Sequence, residues 1–212
     1  MPTFTENTTS QNSADTPTTG VTEDSWLQES DGGTVNHGSS TRMEVQKFGV
    51  ADHGHTVIRF DTTGESGTVS SATLYLYQEG NNGEAHDVAV RELLQTGWVE
   101  SQVNWNDYST GNSWNTGGAL GAGTDRVSTP EDTVTVPSTT GSYVSWDVTG
   151  IVSANLGGSI EFHLELDEVG NAGDYTWWAT SEGTDGERPE LVVVYSGAAA
   201  VPQAAFNYRL RR

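Results

Sequence analysis

Apolar and polar residues alternate with a period of two through most of the chain between residues 56 and 195, the pattern of strands with one face in a core. Residues 56–61 form one such run and end in a turn. In 71–77, Ala72, Leu74 and Leu76 share a face. Residues 87–91 alternate again, and 133–136 stop at Pro137. In 143–148, Val144, Trp146 and Val148 oppose Tyr143, Ser145 and Asp147. The clearest case is 160–166, where Ile160, Phe162, Leu164 and Leu166 face inward and Glu161, His163 and Glu165 face outward. Residues 191–195 are almost continuously apolar, which predicts burial on both faces. Only 148–156 suits a helix, with Asp147 or Thr149 as cap and Gly157 as stop. Short strands with Gly, Asn, Asp and Ser between them predict an all-β protein, an antiparallel β-sandwich of jelly-roll type. Phe60, Leu74, Leu76, Trp98, Trp105, Trp146, Phe162, Leu164 and Val193 are expected in one core.

The pattern weakens at both ends. Residues 1–22 read as a polar, Thr-rich extended arm, 23–196 as the sandwich, and 197–212 as a tail. In that tail Phe206, Tyr208 and Leu210 alternate with Asn207, Arg209 and Arg211, and Arg212 ends it. This suits an extended segment that anchors to a partner. Met1 to Gly20 lacks the basic and apolar regions of a secretory signal, so the expectation is a mature or recombinant form, or a route outside without secretion.

Charge sharpens the picture. Asp plus Glu number 29 against 9 Lys plus Arg, a formal net charge of −20, and Lys47 is the single lysine. Such a surface repels nucleic acid. Acidic proteins poor in lysine suit multimolar salt, where the Debye length shrinks to about 3 Å or less and self-repulsion fades. A halophilic origin is therefore expected. No apolar run is long enough to span a membrane. The absence of cysteine excludes disulfides and thiol chemistry.

Five segments, in order, carry a family resemblance. They are Arg59-Phe60-Asp61; residues 71–77; the W-x-E-x-x-V-x-W-N run from Trp98 to Asn106; the D-V-T-x-x-V run from Asp147 to Val152; and Ser181-Glu182 leading to the R-P-x-L-x-V-x-Y ending from Arg188 to Tyr195. Across residues 23–196 the chain resembles DNRLRE-type domains, also classed as carbohydrate-binding modules related to disaggregatase-associated domains. The resemblance implies a jelly-roll β-sandwich that accompanies extracellular enzymes or surface proteins, some members binding polysaccharides such as alginate. No enzyme is expected beside the module, a departure from the family's usual setting.

Aromatic residues are the candidate chemistry. Trp98 and Trp105 belong to the signature and are expected in the core. Trp114 sits in a polar, Gly-rich loop and is expected to be exposed, free to stack on a sugar ring. Trp177 and Trp178 must point to opposite faces of a strand, with Tyr175 on the side of Trp177. Trp114, Trp177 and Tyr175 are thus the candidate glycan contacts. His53 and His55 share a face but offer only two imidazoles, so no metal is expected. The acidic stretches lack the regular calcium loop. No catalytic motif and no cofactor motif is present, so no enzyme is expected.

Two readings fit. The first is a structural component of a virion surface (capsid decoration, turret or tail protein) of a virus with a halophilic host. Its partners would be itself or a major capsid protein. The alternative is a secreted, extracellular carbohydrate-binding module that attaches to a polysaccharide.

Overall fold

The computed structural model describes residues 3–7, 23–49, 52–167 and 173–196. The strands are β1 (Thr3–Asn7), β2 (Glu23–Gln28), β3 (Arg42–Lys47), β4 (His53–Asp61), β5 (Thr68–Asn81), β6 (His86–Glu92), β7 (Asp107–Ser109), β8 (Asn112–Ser113), β9 (Asp132–Val136), β10 (Ser142–Asp147), β11 (Ser159–Leu166), β12 (Asp174–Ala179) and β13 (Glu190–Ser196). One helix, α1 (Thr149–Asn155), lies between β10 and β11. Asp147 Oδ1 accepts from the Thr149 amide at 3.0 Å, and Gly157 turns the chain away with φ +91°.

All pairings between these strands are antiparallel. The main sheet runs β1-β13-β5-β12-β3-β4-β11-β6-β9, with β10 on the other edge of β5 and β2 on the other edge of β4. It curls until its ends almost meet. The Trp146 indole N–H on β10 donates to the Val88 carbonyl on β6 at 2.9 Å, across the interior. The Asp147 amide donates to Asp132 Oδ2 at 2.9 Å, linking β10 to β9. The fold is an all-β antiparallel sandwich that is nearly closed.

The inward residues of both halves meet in a main core that includes Phe60, Leu74, Leu76, Trp146, Phe162, Leu164, Trp178 and Val193. Each large side chain removed from water there stabilises the fold by about 1.5–3 kcal/mol. Trp98 and Trp105 are not in that core. They pack with Leu27, Val57, Leu93, Val103, Trp114 and Ala119 in a second cluster, so the single core expected from the sequence is two.

The second core explains another difference. Residues 93–131, between β6 and β9, fold back over the outer face of β2, β4 and β11. Glu161, His163 and Glu165 do point away from the main core, as their alternation predicts, yet they are 2%, 0% and 9% exposed. The period of two reports which face a residue takes; it does not report what covers that face. In β13 the pattern is cleaner than expected: Leu191, Val193 and Tyr195 are buried, and Val192 and Val194 are half-buried.

Residues 3–7 of the predicted arm form β1, whose backbone adds to β13 from Thr3↔Val194 to Asn7↔Glu190. The anchoring residues Phe206, Tyr208, Arg209, Leu210, Arg211 and Arg212 lie outside the described residues.

Candidate functional site

The signature residues turn out to hold the frame together. Arg59 on β4 reaches Glu161 Oε1 at 2.7 Å, pairs with Glu23, donates to the carbonyls of Thr96 and Trp98, and lies 4.5 Å over the Trp98 ring. The Trp98 indole N–H donates to Glu161 Oε2 at 2.5 Å. Glu100 accepts from the Asp24 amide at 2.9 Å. Asn104 Oδ1 accepts from the amides of Asn106 and Asp107, and its carbonyl accepts from the Trp114 indole at 2.9 Å. These bonds clamp the 93–131 segment onto the sheet.

Trp114 is therefore a correction. It is 5% exposed, buried in the second core with its N–H satisfied, and presents no face to a ligand. Gly- and Asn-rich sequence around it makes tight turns, and those turns serve to fold the indole inward.

Tyr175 and Trp177 lie elsewhere, on the outer face of β12, while Trp178 is fully buried on the inner face. Their rings are 5.3 Å apart and tilted by 13°. Phe48, just past β3, extends the row: its ring is 5.4 Å from Tyr175 at 30°, and it is 38% exposed. Centroid spacings this far above face-to-face contact mean offset, shingled rings, which leaves part of each surface open. Two features set the row. Gly80 on β5 pairs with Trp177, and a Cβ there would lie 2.1 Å from the indole. Only a bare backbone lets the ring lie so close to β5. At the same end the Arg42 guanidinium sits 5.5 Å over the Trp177 ring and 2.9 Å from Glu44 Oε1. Arg42, Glu44 and Gln46 face outward from β3, opposite Ala179, Trp177 and Tyr175 in register. A cavity of about 360 Å³, lined by Thr41, Glu79, Glu182, Gly183 and Thr184, adjoins this end.

Two of the candidate contacts, Tyr175 and Trp177, share this row; Phe48 and Arg42, which the structure sets beside them, were not singled out by the sequence. The alternation Arg42, Met43, Glu44, Val45, Gln46, Lys47 was the available signal for β3. What it lacked was the register that sets β3 beside β12.

A second cluster is polar and enclosed. His55, His163 and Glu165 each place a ligand atom within 4.8 Å of the others. The sequence offered two imidazoles, His53 and His55; the fold instead adds His163 and Glu165 from β11. His55 Nδ1 and His163 Nε2 both donate to the Gly118 carbonyl, at 2.9 and 3.1 Å. Burial lowers the pKa of His55 to about 4 and that of His163 well below its ordinary value, so both rings are neutral. Neutral imidazoles suit a metal. Glu165 does not, because Arg91 and Arg126 bracket its two oxygens at 2.5 and 3.1 Å. A cation would have to displace two guanidiniums, so the donor set fits an internal ion-pair network instead.

No curated protein matches the chain. A family model, carbohydrate-binding module family 96, matches residues 15–195. The carbohydrate-binding part of the sequence resemblance thus has independent support, and the DNRLRE-type label does not. An all-β frame clamped by its signature residues, an outward aromatic row and a match over most of its length agree: the chain belongs to carbohydrate-binding module family 96.

Proposed function

We propose that the protein is a non-catalytic module that attaches to an extracellular polysaccharide through the row of Phe48, Tyr175 and Trp177. The observation that carries this is the row itself. Three aromatic side chains are held in offset register on an outer sheet face, by a glycine beneath and a guanidinium above. Soluble proteins seldom leave such surface open without a use. Pyranose rings have C–H-rich faces that pack on aromatic surfaces, and the exposed Glu79 nearby can accept hydrogen bonds from hydroxyls. The virion-surface reading and self-association draw no support from the fold or from the family.

Retention on immobilised polysaccharides tests the proposal. Tyr175→Ala or Trp177→Ala should weaken retention at least about tenfold, equivalent to about 1.4 kcal/mol, with the melting temperature little changed. Trp114→Ala should do the opposite. It empties a buried site and should cost about 3–5 kcal/mol of stability. Loss of retention only in the destabilised Trp114 variant would refute the assignment.

A further inference from the structure

The charges around the row bear on which polysaccharide it takes. Arg42 is the cation beside it. Arg42 is already engaged on two sides, 2.9 Å from Glu44 and over the Trp177 indole. Glu79 and Glu182 line the cavity at the Trp177 end. One arginine thus faces three carboxylates, Glu44, Glu79 and Glu182, on a chain of net charge −20.

A polymer carrying carboxylates would have to draw Arg42 away from both Glu44 and the indole. It would also bring its own charges against Glu79 and Glu182. A neutral polymer need not break the Arg42–Glu44 pair and brings no charge against Glu79 and Glu182. Its ring faces lie on the aromatic row, and its hydroxyls donate to carboxylates, which makes charge-assisted hydrogen bonds of the stronger kind. We infer that the row takes a neutral hexopyranose polymer and discriminates against polyuronates. The inference rests on the reading of the row as a glycan site and adds the ligand class to it.

Affinity electrophoresis separates the two claims. Wild-type protein is run in native gels, with EDTA to prevent bridging by divalent cations. The gels contain a soluble β-1,4-glucan, a galactomannan, alginate or polygalacturonate. At least one neutral polymer should retard the protein, and each polyuronate at least about tenfold more weakly. Tyr175→Ala should abolish the neutral retardation. The Glu79→Gln, Glu182→Gln double variant should narrow the gap between the neutral polymers and the polyuronates. Thermal melts of each variant verify the fold. Retardation by a polyuronate as strong as by any neutral polymer, lost in Arg42→Ala, overturns the inference and leaves the glycan-site reading standing. Retardation by neither class overturns the glycan-site reading, and the inference with it.

Discussion

Asp24 is the side chain most at odds with its surroundings. It is 1% exposed on β2, and its pKa is pushed up to about 8 by burial and then by Glu182, against hydrogen bonds from Ser181. Its Oδ1 has no partner. Glu100, whose Oε1 accepts from the Asp24 amide, is raised to about 7, again by burial first. Groups with raised folded-state pKa values add stability below their unfolded values, near 4, and lose it as pH climbs through 7 and 8. His55 and His163 have the reverse sign: their burial as neutral rings supports the fold above about 6.5, and that support drains away as pH falls towards 4. Thermal stability should therefore peak between about pH 5 and 6.5. Asp24→Asn should be more stable than wild type at pH 8 by about 1–3 kcal/mol and nearly equal to it at pH 4.5. Melts across that range check it; a gain independent of pH would rule out ionisation of Asp24 as the cause.

At the scale of elements, the row depends on how β12 is held between β3 and β5. β12 pairs with β3 along its whole length, but with β5 only from Thr176↔Asn81 to Trp178↔Gln78, across a bulge between Trp177 and Trp178. A bulge re-aims side chains. Here the indole is brought onto Gly80. Gly80→Ala would set a methyl 2.1 Å from the Trp177 ring, so the ring must swing away. The expected outcome is a polysaccharide affinity lowered by about tenfold or more, with a stability cost of about 1–3 kcal/mol from overpacking. Polysaccharide retention and a melt, run side by side, read both. An affinity equal to wild type would mean that the position of Trp177 does not matter to binding.

On the scale of the whole molecule, charge is unevenly matched. All five described arginines lie within ion-pair distance of a carboxylate: Arg42, Arg59, Arg91, Arg126 and Arg188. The chain carries 29 Asp plus Glu against 9 Lys plus Arg, so carboxylates far outnumber cations. Their repulsion is long-ranged at about 0.1 M salt, where the Debye length is about 10 Å, and nearly gone at 1 M, where it is about 3 Å. The melting temperature should rise between 0.1 and 2 M NaCl by on the order of 5 °C. A melting temperature unchanged over that range would remove the case for a halophilic origin.

The sequence by itself determined, for its clearest runs, that they form strands and which side of each is apolar. That information is local, written in the two-residue period of runs such as 160–166 and in the opposed faces of Trp177 and Trp178. It could not say what lies over the other side. Glu161, His163 and Glu165 alternate like surface residues and are buried, because a segment more than thirty residues away in sequence folds onto them. Trp114 sits among turn-forming residues and is buried for the same reason. Conversely, the row joins Phe48 and Arg42 to Tyr175 and Trp177, residues about 130 positions apart, through the register of β3 against β12. Faces follow from the geometry of a single strand. Neighbours follow from pairings and excursions whose cost and gain are settled only when the whole chain closes.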